Sequence, residues 1–336
     1  MTSLLKRVCF SLLVVILLSA PLPAKTVIKM ATLAPADSTW VNMMRQMVKE
    51  VMDESGGEVE FKLYPGGVLG DERDMVRRMQ IGQLHACAMT SVGLSIIQKE
   101  ALIFQLPLMF DNYEELDYAR ERLLGQMEAA FAESGYVLLG WGDVGPAYLF
   151  SRRKIQTKED LKSSKVWGWV DDQIAMALYR EAGVTPIPLS ISEVLTSLQT
   201  GVIDTVPSTP LACVALQWFN RLDYMIDLPL SVSVGATVVT KKSFDRLSPE
   251  SQELLTRKAK EYHQALGVKI REENDRSLVT LKAQGIEMVP VSEDTKADWE
   301  KIALGVRKTL TGRLYSQELL AELLRLVEEY RSGVKR

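Results

Sequence analysis

The sequence predicts an α/β fold in two lobes joined by a hinge. Three observations carry this. Short apolar strands alternate with amphipathic helices along the chain, the pattern of a sheet covered by helices. The alternation is interrupted at Gly142-Asp-Val-Gly-Pro146 and again near Gly235, where the chain reads as crossing between halves. One predicted helix, from Ser248-Pro249 to about Ala283, is long enough to span both lobes. Lobe I is then 25–146 with 235–276, and lobe II is 147–234 with 277–336, including the C-terminal helices. Such an arrangement reads as a clamp.

The elements follow in order. Lys6 and Arg7 precede an uncharged run from Val8 to Ala20, and Pro21-Leu-Pro-Ala24 supplies breakers and a small residue, so 1–24 reads as a signal peptide. Cys9 heads the apolar run and is badly placed for a lipid anchor. Val27 to Leu33 reads as a strand. Asp37 or Ser38 then caps a helix with Trp40, Met44, Met47, Val48 and Val51 on one face. Val59, Phe61 and Leu63 alternate with charged residues in a second strand, closed by Tyr64-Pro-Gly-Gly67. Gly70-Asp71-Glu72 opens a helix with acids at its start and Arg77 and Arg78 near its end, as the helix dipole favours.

Leu84 to Met89 suits a buried parallel strand, and Thr90-Ser91-Val92-Gly93 follows at its carboxyl end, where open α/β sheets bind ligands. A helix over 111–135, a strand from Tyr136 to Trp141 and an extended run from Ala147 to Ser151 come next. Thr157 caps a short helix. Asp171 or Asp172 starts another, with Ile174, Leu178 and Tyr179 inward. Ser190-Ile-Ser-Glu193 is a capping box, Val202 to Val206 a strand, and Pro210 starts a helix carrying Cys213, Gln217 and Trp218. Gly235 to Thr240 has β character. After the long helix, Ile286 to Val291 is a late strand and two amphipathic helices close the chain.

Composition excludes several function classes. The chain is mildly acidic, net −3 before Lys6 and Arg7 are removed, so nothing invites nucleic acid. No later apolar run has membrane-spanning length. Cys87 and Cys213 are the pair that an oxidising compartment could join, but they lie in no CxxC pattern, and a chain this size is stable without a disulfide. His85 and His263 have no metal-ligand spacing, and no nucleophile and base pair into a catalytic constellation. An enzyme is not expected, and the reading needs no cofactor or metal.

The stretch that carries most information is Lys165-Val-Trp-Gly-Trp-Val-Asp-Asp172. In an extended segment Trp167 and Trp169 share one face, with Val166, Gly168 and Val170 on the other. Two indoles then stand side by side, as core if that face is buried and as an apolar platform if it borders a cleft.

Tyr64-Pro-Gly-Gly-Val-Leu-Gly70, Thr157-Lys-Glu-Asp-Leu-Lys162 ahead of Lys165-Val-Trp167, and Glu193 to Asp204 resemble the DctP family in order and spacing. That family comprises the solute-binding proteins of tripartite ATP-independent periplasmic (TRAP) transporters. The resemblance implies a two-lobed periplasmic solute-binding fold that closes on one small molecule and delivers it to membrane subunits. Some relatives also work with a TPR-repeat lipoprotein. The usual solute is a carboxylate, held by an arginine through a two-pronged contact. The matching position here is Trp167, and a frequent second arginine falls at Ala147. The asparagine often found after the Asp-Gly turn is displaced in Asp204-Thr-Val-Pro-Ser208-Thr209.

An indole cannot neutralise a carboxylate, and burying that charge unpaired costs several kcal/mol. The expectation is an apolar, aromatic or lipid-like solute against Trp167 and Trp169. Tyr148, Phe150 and Trp218 extend the wall, and Thr90, Ser91, Ser208, Thr209 and Gln217 supply polar contacts. Phe150 and Trp218 also read as core, and Ser208 and Thr209 as caps for the helix at Pro210. The alternatives are a receptor for an organic acid with relocated cations, Arg152 and Arg153 being the nearest in sequence, or a ligand-sensing subunit.

Overall fold

The computed structural model describes residues 25–333; the signal-peptide reading of 1–24 lies outside the described residues. In chain order, strand β1 (Thr26–Thr32), helix α1 (Thr39–Glu54) and strand β2 (Val59–Tyr64) form the expected β-α-β opening, with Ser38 capping α1 at Val41 N. Helix α2 (Glu72–Gln80), strand β3 (Ala86–Thr90), helix α3 (Ser91–Ile97) and helix α4 (Tyr113–Glu133) follow, β3 lying parallel to β1. Then come β4 (Tyr136–Ser151), α5 (Lys158–Lys162), β5 (Trp167–Gly168), α6 (Gln173–Ala182) and β6 (Ile187–Pro188). They lead to α7 (Val194–Thr200), β7 (Thr205–Ser208), α8 (Pro210–Ala215), β8 (Tyr224–Ile226) and β9 (Ser231–Thr240). The chain ends with α9 (Lys241–Phe244), α10 (Pro249–Ala283), β10 (Glu287–Val289), α11 (Glu293–Leu310) and α12 (Gln317–Arg331).

The strands run in the order β10-β8-β4-β9-β3-β1-β2, with β7 also paired to β4. The ribbon of β4 and β9 therefore passes from the β1-β2-β3 end of the sheet to the end built from β7, β8 and β10. Here the structure corrects one reading. The sequence places a break at 142–146, whereas β4 runs through it as one strand and bulges against β9 between Asp143 and Gly145. An extra residue is absorbed as a bend instead of ending the ladder. Gly145 stands at φ 129, and a Cβ there would collide with Asn274 of α10. For the same reason β9 begins at Ser231 and not at Gly235, since it pairs along its whole length with β4, from Tyr136 to Ala147.

Helix α10 forms as its Ser248 cap and first-turn Pro249 dictate, and continues through Gly267 to Ala283. It ties distant elements together. Lys258 pairs with Glu50 of α1 at 2.6 Å, and His263 meets Thr237 of β9 at 2.9 Å. Asn274 donates to Val144 O of β4 at 2.9 Å and accepts from Leu211 N of α8 at 3.2 Å. Among the described residues no helix is long and apolar enough to cross a membrane. Cys87 and Cys213 are free and buried, in β3 and α8.

Candidate ligand-binding cleft

The aromatic pair forms as its alternation requires. Trp167 and Trp169 stack with ring centroids 6.2 Å apart and planes 26° from parallel, and Trp218 meets Trp167 edge-on at 5.4 Å. On the opposite face of the strand a Cβ at Gly168 would sit 2.7 Å from Pro186 Cβ, so only glycine fits between the indoles. Trp167 is fixed at both ends. Its Nε1 donates to Leu189 O at 3.0 Å, and its carbonyl accepts from the Tyr179 hydroxyl at 3.1 Å.

Core and cleft prove not to be exclusive readings of Trp167. It is 4 % exposed and packs with Phe150, Val206, Met225 and Trp218, yet it also lines a cavity of about 160 Å³. This inner chamber opens into a larger one of about 650 Å³, walled by β1, the Gly66 to Asp74 turn, α8 and α10. The two share Thr90, Val144, Ile191, Thr209, Ala212 and Leu216.

Of the residues expected from sequence, Trp167, Trp169, Tyr148, Trp218, Thr90, Ser208 and Thr209 meet around the inner chamber. Ala147, the other position where the resemblance puts an arginine, lines it too. Three residues do not reach the wall. Phe150 is completely buried, covered by its ladder partners Val206 and Met225. Gln217 is exposed, because α8 ends in a left-handed turn (φ 58) that swings it outward. Ser91 is buried behind the wall, where its hydroxyl bonds the Gln105 side-chain oxygen.

That serine belongs to a buried relay. Gln105 Nε2 donates to Asp172 Oδ2 at 3.2 Å, and Asp172 Oδ1 accepts from Ala175 N at 2.9 Å as the cap of α6. Both Gln105 and Asp172 line the inner chamber. Burial raises the Asp172 carboxyl above the usual carboxylate range. The sequence offered only a faint signal for Gln105, one amide inside the apolar run Phe104-Gln-Leu-Pro, and Asp172 read simply as a cap.

Charge is distributed one way. Among the described residues, no lysine or arginine lines either chamber. Arg153 is exposed and pairs with Asp204. Arg120 and Arg271 are held by Asp143, at 2.8 and 2.6 Å, so Asp143 is neutralised where it borders the outer chamber. Helix N-termini near the cleft are also occupied by the protein's own groups. Glu72 accepts from Thr90 N and Gly93 N at 2.7 Å each at the start of α3, Asp172 caps α6, and Thr209 caps α8 at Ala212 N. Burial pushes the Glu72 carboxyl up to about 8.

Comparison with known proteins gives a consistent result. The family described as bacterial extracellular solute-binding protein, family 7 (DctP) matches residues 30–310. An uncharacterised protein of Salmonella typhimurium, YiiZ, is 25% identical over 62% of this chain and 64% of its own length. The 2,3-diketo-L-gulonate-binding periplasmic protein YiaO of Escherichia coli is 24% identical over 83% of this chain and 84% of its own. A TRAP periplasmic solute-binding protein from Desulfovibrio salexigens, solved with bound orotic acid, superposes with a TM-score of 0.83 at 18% identity, covering 93% of this chain and 100% of that one.

Proposed function

This chain belongs to family 7 of the bacterial extracellular solute-binding proteins, and from that premise we propose that it is a periplasmic TRAP-type receptor whose cleft takes an apolar, aromatic or lipid-like solute. The family is one of binding proteins and not of enzymes. Residues 25–146 with 235–276 form one lobe and 147–234 with 277–336 the other, closing on the solute and presenting it to membrane subunits. A TPR-repeat lipoprotein is a candidate further partner.

The observation that carries the solute class is the wall itself. Trp167 and Ala147, matched to the family's arginines, both border the inner chamber, and among the described residues no lysine or arginine replaces them there. The helix ends around the inner chamber already carry caps from the protein itself, Glu72 on Gly93 N, Asp172 on Ala175 N and Thr209 on Ala212 N. A carboxylate bound here would be buried without a counter-charge, at a cost of several kcal/mol. Stacked indoles instead favour an apolar or aromatic face.

The competing reading is an organic-acid receptor, as the ligands of the Escherichia coli and Desulfovibrio relatives suggest. Native mass spectrometry of ligand retained through gentle purification separates the two. An apolar or aromatic molecule at one per chain is expected. A stoichiometric dicarboxylate or sugar acid would overturn the proposal.

A further inference from the structure

We propose that the polar end of the solute is a protonated amine held by Asp172 in the inner chamber, an inference that rests on the apolar-cleft reading. The hydrogen-bond inventory of the wall points this way. The Tyr179 hydroxyl donates inward to Trp167 O at 3.1 Å, Ser208 to Thr209 O at 3.1 Å and Thr90 to Glu72 Oε2 at 2.8 Å. Gln105 has its amide nitrogen on Asp172 and its oxygen on Ser91. With their hydrogens committed inside the protein, the Tyr179 and Ser208 hydroxyls have only acceptor capacity left for the cavity, and a ligand that complements them must donate.

Asp172 has acceptor capacity left. Its two oxygens carry about four lone-pair sites, and three protein donors, Ala175 N, Ile174 N and Gln105 Nε2, leave about one for a ligand. An ammonium has three donors and no acceptor, so nothing on it is left facing a lone pair. The dipole of α6 offsets part of the Asp172 charge. No basic side chain in the lining opposes a cation, however, and Asp171 beside it is engaged with Arg73 outside the chamber. The faces of Trp167 and Trp169 add their own attraction for a cation close by. An anion would meet Asp172 with no basic side chain in the lining between them.

Three probes of one size decide it: 2-phenylethylamine, 2-phenylethanol and phenylacetate, titrated calorimetrically into the protein after unfolding and refolding to strip retained ligand. The amine is expected to bind at least about tenfold tighter than the alcohol, with phenylacetate weakest. Asp172→Asn, which keeps a capping side chain on α6, is expected to lower amine affinity by about tenfold or more while the variant melts as a folded protein. Amine binding that is absent, no tighter than the alcohol, or unchanged in Asp172→Asn overturns the proposal. Alcohol binding tightest leaves the apolar-cleft reading standing. Phenylacetate binding tightest removes both.

Discussion

The indole of Trp169 donates from Nε1 to Asp71 Oδ2 at 3.2 Å, joining the aromatic pair to the capping residue of α2. The same oxygen accepts from Ile191 N at 3.4 Å, and Arg73, two residues on, pairs with Asp171. The start of α2, attached to the β1-β2-β3 end of the sheet, thus grips the segment bearing Trp169 and its neighbours from the other end. Gly70 makes this possible: at φ 98 it turns the chain into α2, and a Cβ there would lie within 2.7 Å of Asp74 Cβ.

If this contact holds the cleft closed, losing it weakens binding without unfolding the protein. Trp169→Phe keeps a ring on Trp167 and removes the N–H. One neutral-to-charged hydrogen bond is worth about 1.5–3 kcal/mol, less when half exposed, so a three- to tenfold loss of affinity for the co-purified ligand is expected at nearly unchanged melting temperature. Undiminished affinity in calorimetry would mean that the contact has no part in closure.

Trp167 is a harder case, because it is wall and core together. Trp167→Ala removes a buried indole from between Trp169 and Trp218, which should cost about 3–5 kcal/mol of stability as well as binding. Urea denaturation reads the first effect and ligand titration the second. A full-strength fold in the alanine variant would show that the surrounding aromatics collapse into the gap.

Glu72 gives the protein a pH signature. Its folded carboxyl is raised from 4.5 to about 8 by burial, so the native state keeps a proton that the unfolded chain releases. The stability this group contributes is present below pH 4.5 and is lost as pH rises toward 8. Relative to Glu72→Gln, the wild type should lose up to about 1.4 kcal/mol per pH unit across that window. Parallel stability curves for the two proteins from pH 5 to 8 would mean that Glu72 is ionised in the fold.

The thiols supply a simple control. Burial pushes Cys213 up to about 12 and Cys87 higher still, and both are free. Neither should react with an alkylating agent in the native protein at neutral pH. Both should react in denaturant, and a reducing agent should leave the melting temperature unchanged. Rapid native labelling of either would show that its element opens readily.

What the sequence determined by itself was local. Ser248-Pro249 started the long helix, Gly70-Asp71-Glu72 opened another, Thr157 and Ser190 capped where they were read, and alternation about Gly168 put two indoles side by side. Each of these depends on residues a few positions apart, where backbone geometry alone sets direction. Tertiary structure decided the rest. It carried β4 through Gly142 to Pro146, since pairing with β9 outweighed the local break. It also put Tyr148 on the cavity and Phe150 in the core, and turned Gln217 outward. Above all it brought Gln105 and Asp172, 67 residues apart, onto one wall with Trp167 and, among the described residues, left no basic side chain there. A cleft between distant segments takes its charge from whichever side chains converge, and no spacing along the chain encodes that sum.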